Sequence, residues 1–224
     1  MARRPSKKPR LKLFTTNYDL CFEKAASNIS FIVLDGFSFS LPPKFDNSNF
    51  DFDIVRRDFE KETQDYIPNA LHLYKIHGSV NWDGDNNQII KKEKPIVPLM
   101  IYPMNSKYEL SFEQPFLEMM SRFQNIIRKP NTALITIGFG FNDNHLSQPI
   151  MSAIKSNISF KYLHVSLGLE GSSNEYVKKI ADLIIDGDSR LQMLEASFDK
   201  FTESLPDIAK ASEEEIFIKR IKKI

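Results

Sequence analysis

The chain has 224 residues, which is enough for one sizeable α/β domain, and 42% of them are hydrophobic. Its net charge of +1 gives the chain as a whole no strong electrostatic attraction to nucleic acid. A single cysteine, Cys21, excludes an intrachain disulfide and a cysteine-based zinc site. No apolar run approaches the ~20 residues of a membrane span. We therefore expect a soluble, cytoplasmic protein that needs no metal.

The two ends of the chain differ in composition from its middle. Residues 1–10 contain five basic residues and are predicted to form a flexible tail. Residues 206–224 are predicted to form a charged terminal helix with its isoleucines turned inward. The intervening residues 11–205 are predicted to form one domain.

Apolar runs of strand length alternate with amphipathic helices along the middle of the chain. We predict strands at residues 11–16, 31–34, 71–76, 133–137, 160–167 and 190–197. We predict one helix that begins near residue 19 and three more at residues 112–128, 145–156 and 174–186. Further predictions are a hairpin within residues 80–91, a short helix near residues 58–64 and a loop at residues 95–110. The alternation predicts a doubly wound α/β fold with one mostly parallel sheet and helices on both faces. The run Ala133–Ile137 lacks polar alternation, which is typical of a strand buried on both faces.

Three polar segments follow predicted strands: Thr15–Asp19, His77–Ser79 and Gly138–His145. In a doubly wound fold, ligands bind just beyond the carboxyl ends of the strands. A histidine can accept a proton near neutral pH, and an amide side chain can fix a hydroxyl group and a water molecule together. Glycines let the main chain approach phosphates, because they carry no Cβ. The three segments are therefore the candidate functional residues.

The three segments read Thr-Thr-Asn-Tyr-Asp, His-Gly and Gly-Phe-Gly-Phe-Asn-Asp-Asn-His, and in this order they resemble the sirtuin family over roughly residues 11–167. They look most like its bacterial branch of NAD⁺-consuming domains from antiviral defence systems. The resemblance implies a Rossmann-like, NAD-binding domain over residues 11–205. It implies that Asn17 holds the nicotinamide-side ribose and the attacking water, that Asp19 supports this site, and that His77 is the general base.

The resemblance further implies that NAD is bound as the substrate and that no metal takes part. The residues that it assigns to NAD binding are Thr15, Thr16, Gly78, Gly138, Phe139, Gly140, Asp143 and His145. Gly140 stands where the branch often has serine, and this difference affects one hydrogen bond to NAD.

The sequence departs from the family at two places. Sirtuins begin with a glycine-rich strand–loop–helix that cradles the pyrophosphate, and no such motif precedes Thr15. We therefore expect a sirtuin-like fold that is incomplete at its N-terminus, with the cradle supplied by another polypeptide or a separately encoded half, or else an inactive chain. The deacylase branch has a four-cysteine zinc ribbon after its His-Gly, where this chain has Asn-Trp-Asp-Gly-Asp-Asn-Asn-Gln. The second departure favours a simple hydrolase over a protein deacylase.

By this resemblance, the leading function is an NAD⁺ glycohydrolase module of a prokaryotic antiphage defence system, which releases nicotinamide and ADP-ribose. Its expected partners are further copies of the chain, a defence protein such as an ATPase or a nucleic-acid sensor, or the missing N-terminal half. No membrane is expected. The alternative is a catalytically inactive subunit that binds NAD or ADP-ribose, or serves only as a scaffold. Direct nucleic-acid binding would depend on the basic tail alone.

Several of these residues also have a purely structural interpretation. Asn17 and Asp19 would form an Asx turn that caps the following helix, and His77 would be a turn residue. Asp143 and His145 would be the cap and first turn of the next helix. For four others the structural interpretation is preferred: Trp82 as hairpin core rather than a wall of the nicotinamide pocket, Cys21 as a buried helix residue, and His72 and His164 as strand residues.

Overall fold

The computed structural model describes residues 9–58, 60, 63–85, 88–102 and 114–205. Most of the predicted basic tail, the second half of the predicted loop at residues 95–110 and the whole predicted C-terminal helix lie outside the described residues. The chain divides into two compact units, one that contains the described residues up to Ile101 and one that runs from Tyr102 to Leu205. Within the described part of the chain, no helix is both long enough and apolar enough to cross a membrane.

The first unit contains a three-stranded parallel sheet. Its strands are β1 (Lys12–Thr15), β2 (Ile32–Leu34) and β5 (Ala70–Lys75), and helix α1 (Cys21–Asn28) connects β1 to β2. The strand order is β1-β5-β2, so β5 has a neighbour on each side. All six residues of β5 are buried, as expected for a central strand of a parallel sheet.

Two antiparallel hairpins and a 3₁₀ turn (Asn47–Asp51) complete the first unit. The predicted hairpin is confirmed: β6 (Trp82–Asp85) pairs with β7 (Gln88–Lys91). Trp82 is 1% exposed and packs against Phe37, which confirms its interpretation as hairpin core. The other hairpin pairs β3 (Val55–Asp58) with β4 (Thr63–Tyr66), so the short helix predicted near residues 58–64 is wrong. The hairpin is formed by hydrogen bonds between the two segments. The residue pattern within one segment does not show such pairing, so the sequence did not predict it.

The second unit contains another three-stranded parallel sheet. Its strands are β8 (Ala133–Ile137), β9 (Lys161–Ser166) and β10 (Leu191–Glu195), in the order β10-β9-β8. Its helices are α2 (Phe116–Arg128), α3 (Asn144–Ser156), α4 (Glu175–Ile185) and the short α5 (Phe198–Ser204). The predicted apolar face of α2 is buried core, formed by Phe116, Met119, Met120, Phe123 and Ile127.

Parallel strands that alternate with helices confirm the predicted α/β class, but three details differ from the sequence analysis. The strands form two three-stranded sheets, one in each unit, instead of one sheet. Strand β8 is an edge strand in which Ile135 and Ile137 are 48% and 41% exposed, so its predicted burial on both faces is wrong. Cys21 is exposed rather than buried, because α1 buries only Ala26.

Candidate functional site

Strands β1 and β5 bring two of the three polar segments together. They are parallel neighbours in which Thr15 pairs with Lys75, so their carboxyl ends are level. The pairing continues beyond the strands, where the Ile76 N–H donates to Thr15 O at 2.9 Å. Segments 16–19 and 77–79 therefore leave the same edge of the sheet side by side, as the sequence predicted.

The segment after β1 is a polar loop held by hydrogen bonds of the Thr15 and Tyr18 side chains. Thr15 is buried, Thr16 is half-buried and Asn17 is exposed. The Asn17 N–H donates to Thr15 Oγ1 at 3.1 Å, which turns the chain out of the strand. The Tyr18 hydroxyl donates to Ile101 O at 2.5 Å. The exposed Asn17 therefore stands on a backbone that is held at both sides.

Asp19 lies two residues before helix α1, whose N-cap residue is Leu20. Asp19 Oδ1 accepts the Cys21 N–H at 2.9 Å, so the Asx-turn interpretation of Asp19 is confirmed. The hydrogen bonds from Cys21 lower the pKa of the Asp19 carboxyl below its ordinary value, and the positive charge of Lys75 acts in the same direction. Asp19 is therefore an exposed carboxylate at neutral pH, two residues after Asn17 in the chain.

His77 and Gly78 form a tight turn directly after β5. The Gly78 N–H donates to Lys75 O at 3.0 Å, and the Ile101 N–H donates to His77 O at 2.9 Å. Gly78 has a φ of +88°, and a Cβ at this position would lie 2.3 Å from Leu99 O. Only glycine satisfies both conditions. The turn thus fixes the backbone of His77, whose side chain is only 3% exposed.

The third polar segment, Gly138–His145, follows β8 in the second unit. Gly138 is exposed with a φ of +65°, and its N–H donates to Val165 O at 2.9 Å. A Cβ added to Gly138 would meet no atom within 4 Å, and one added to Gly140 would meet only the Asn142 side chain. The backbone at both glycines is therefore open to the close approach of a ligand.

An aromatic anchor holds this loop on the second unit. Phe141 is 2% exposed, and its ring centroid lies 4.8 Å from Phe139, 5.1 Å from His164 and 5.8 Å from Tyr176. The Asn174 side chain at the start of α4 donates to Gly140 O at 3.2 Å. Gly138 and Gly140 therefore lie in a loop that is held by the buried Phe141 ring and by the hydrogen bond to the Gly140 carbonyl.

Asp143 and His145 lie at the start of helix α3, as their structural interpretation predicts. Asp143 is the N-cap residue of α3, and its carbonyl accepts the N–H groups of Leu146 and Ser147 at 3.0 and 2.9 Å. His145 lies in the first turn of that helix and is half-buried.

The sequence analysis missed one polar residue of the first unit. Lys75 is the last residue of β5 and is 1% exposed, and its ammonium contacts residues on both polar segments of this unit. The signal that could have revealed it is a lone lysine within the apolar run Leu-His-Leu-Tyr-Lys-Ile. A cation in a strand of this kind needs acceptors close by.

Comparison with known proteins identifies the class to which this arrangement belongs. The sequence matches the SIR2-like domain family over residues 11–178, so the chain belongs to this family. The parallel sheets and helices agree with its Rossmann-like fold. No curated protein matches the chain.

SIR2-like domains bind NAD. The first unit offers an amide, a carboxylate and an imidazole at one sheet edge, which are groups that bind hydroxyls and cationic charge. The second unit offers open glycine backbone, which suits phosphate or ribose. The family fits an NAD-dependent enzyme.

Proposed function

We propose that this chain is an NAD⁺ glycohydrolase module of a prokaryotic antiphage defence system, which cleaves NAD⁺ to nicotinamide and ADP-ribose. One observation carries the proposal. A buried histidine, His77, stands on an obligatory glycine turn at the end of β5, and the Asn17 loop leaves the adjacent end of β1. This is the strand-end placement at which α/β folds bind ligands.

The reaction breaks the bond between the nicotinamide nitrogen and C1 of the ribose. The electron pair of that bond goes to the nicotinamide ring, whose positive charge is thereby neutralised, and a water oxygen forms the new bond to C1. In this proposal His77 accepts the proton that the water loses and later returns it to solvent. The Asn17 amide holds the ribose hydroxyl and the water, and the Asp19 carboxylate stabilises positive charge on the sugar.

Hydrolysis is favoured over protein deacylation by the segment that follows His77. In this chain the segment is the β6–β7 hairpin around the buried Trp82, and the whole chain contains one cysteine. A four-cysteine zinc ribbon, which the deacylase branch places here, cannot be built from these residues.

The second candidate is a catalytically inactive subunit that binds NAD or ADP-ribose. The observation that favours it is the hydrogen bond from the Cys21 N–H to Asp19 Oδ1, because a carboxylate that forms an Asx turn before a helix has a structural role without any catalysis. The candidate predicts ADP-ribose binding without nicotinamide release.

The proposal includes a partner. Gly138 and Gly140 are the most closely spaced of the eight glycines, so this chain offers little glycine backbone for a pyrophosphate. We propose that a further copy of the chain, a defence protein or a polypeptide with a glycine-rich loop completes the active assembly.

The decisive assay is nicotinamide release from NAD⁺ by the protein purified from its native host with its partners bound. His77→Ala should lower the rate by ~10²–10⁴-fold, because general-base catalysis contributes about this much. Asn28→Ala, an exposed amide at the end of α1, is the matched control and should keep the wild-type rate. ADP-ribose binding with no nicotinamide release from the wild-type assembly would establish the second candidate instead.

The defence role has its own test in cells. Phage infection of cells that carry the wild-type protein should lower their NAD⁺ content, whereas His77→Ala at the same expression level should not. An unchanged NAD⁺ content in infected wild-type cells would contradict the defence role and leave the enzymatic assay unaffected.

A further inference from the structure

Lys75 is a buried cation surrounded by oxygen atoms. Its Nζ lies 3.1 Å from Glu23 Oε1, 2.8 Å from Ser79 Oγ and 3.2 Å from Tyr18 O, and it also donates to Asp19 O. The side chain is 1% exposed. Burial of an ammonium group is costly unless every donor finds an acceptor, and here the acceptors come from three separate segments.

Glu23 lies on helix α1, and the other three acceptors belong to the two loops of the candidate site in the first unit. Tyr18 and Asp19 directly follow Asn17 on one loop, and Ser79 lies two residues after His77 on the other. The loops are also joined directly, because the Val80 N–H donates to Tyr18 O at 3.0 Å. The Lys75 ammonium therefore connects the loop that carries Asn17 to the loop that carries His77.

Lys75 and Ser79 have the separation of a serine–lysine nucleophile pair, but their surroundings exclude this function. Ser79 is 0% exposed. Ser79 Oγ has acceptors of its own in Asn81 Oδ1 at 2.8 Å and Tyr18 O at 3.3 Å. Its proton is therefore directed away from Lys75, and the pair acts as a structural connection.

We propose that Lys75 is a positioning residue for NAD⁺ cleavage, which holds the Asn17 loop and the His77 turn in the relative arrangement that the reaction needs. This inference rests on the proposed function. A group that is misplaced by about 1 Å can lower a rate by ~10²-fold, so a connection between two loops is sufficient to control turnover. Lysine suits the place because its ammonium is a compact charge, whereas the planar guanidinium of arginine needs a flat, forked set of acceptors.

Removal of Lys75 alone would leave the Glu23 carboxylate without its cation. Glu23 Oε2 is buried and has no hydrogen-bond partner among the described residues, so the single variant would be unstable for a reason unrelated to positioning. The test variant is therefore Lys75→Met with Glu23→Gln. The matched control is Lys91→Met with Asp35→Asn, which removes the ion pair between Lys91 Nζ and Asp35 Oδ2 elsewhere in the same unit.

The experiment measures kcat and KM for nicotinamide release together with amide hydrogen exchange, on the purified assembly. The Lys75 pair variant should lower kcat by ~10²-fold with little change in KM, and should accelerate exchange in residues 16–19 and 77–80. The control pair should keep kcat, and Lys75→Arg should restore less than a tenth of the wild-type kcat. A wild-type kcat in the folded Lys75 pair variant, or unchanged exchange in both loops, would overturn the inference. A wild-type assembly that releases no nicotinamide, but whose loops still loosen in the variant, would instead overturn the proposed function.

Discussion

Gly78 and Leu99 are in contact so close that no other residue fits at position 78. A Cβ on Gly78 would lie 2.3 Å from Leu99 O and 2.9 Å from Met100 Cα, and both are backbone atoms that cannot turn aside. The segments around Gly78 and Leu99 are also joined by the Ser79 N–H, which donates to Leu99 O at 3.3 Å. The contact sets where His77 leaves β5, so it determines the position of the proposed base.

Gly78→Ala should therefore lower the free energy of unfolding strongly. The positive φ and the backbone overlap together should cost about 2–4 kcal/mol. Gly84→Ala is the control, because a Cβ at Gly84 would meet no atom within 4 Å, and its effect should stay within about 1 kcal/mol. Urea denaturation at neutral pH measures both. Equal stability of the two variants would contradict the close contact.

Asp19 should stabilise the first unit only while it is ionised. Hydrogen bonds from Cys21 lower its pKa below the ordinary 3.8, so its contribution is complete above this pH and is lost as the pH falls through the lower, folded-state pKa. Asp19→Ala removes one hydrogen bond to the backbone and should cost about 0.5–1.5 kcal/mol at pH 7, and Asp19→Ser, which keeps an acceptor, clearly less. Denaturation curves from pH 7 down to pH 2 should show the wild type and Asp19→Ala converging. A gap that stays constant with pH would show that the hydrogen bond from Cys21 to the Asp19 carboxylate does not contribute to stability.

His164 should make the second unit sensitive to acid. Burial lowers the pKa of His164 to about 4 from the ordinary 6.5, and the side chain is 1% exposed. The unfolded chain therefore binds the proton first, so stability is complete above pH 6.5 and falls as the pH drops to 4, by about 3 kcal/mol. His164→Asn keeps an acceptor near Thr136 Oγ1, which lies 2.9 Å from Nδ1, and should lack this fall. Parallel slopes for the wild type and His164→Asn between pH 7 and pH 4 would show that burial does not hold the imidazole neutral.

The loop at Gly140 should bind ADP-ribose through its open backbone. A valine side chain at this position would cover that backbone, and its Cβ would meet only the end of the Asn142 side chain, at 3.1 Å, which must shift slightly to admit it. Gly140→Val should weaken ADP-ribose binding at least ~10-fold, the equivalent of about 1.4 kcal/mol, while Gly84→Val leaves it unchanged. Calorimetric titration of both variants measures the difference. Wild-type affinity in Gly140→Val would remove this loop from the site.

The sequence predicted most strands because their apolar runs are local signals. Runs such as Leu71–Ile76 and Ala133–Ile137 have the length and composition of strands in a parallel sheet. The pair Val55–Asp58 and Thr63–Tyr66 was missed because its residues are mostly charged or polar, and only pairing between the two segments makes them strands. The short helix Phe198–Ser204 was missed because one buried residue, Phe201, gives no period.

The candidate site was predictable to the level of strand ends but not of contacts. Parallel-sheet geometry predicts that Thr15 and Lys75 end their strands together, and the register confirms it. The importance of Lys75 was not predictable, because its acceptors on Tyr18, Glu23 and Ser79 are brought to it only by the tertiary fold. The same holds for Gly78, whose neighbour Leu99 lies far along the chain.

The central claim is that Asn17 and His77 act on NAD⁺ in one reaction. Its most direct test is a double-mutant cycle on kcat/KM for nicotinamide release, with Asn17→Ala, His77→Ala and the double variant in the purified assembly. Each single variant should lose ~10²–10⁴-fold, and the double variant should be no slower than the slower single variant, because residues that serve one step are not additive. Wild-type kcat/KM in any folded variant, losses that multiply in the double variant, or no nicotinamide from the wild-type assembly would contradict the claim.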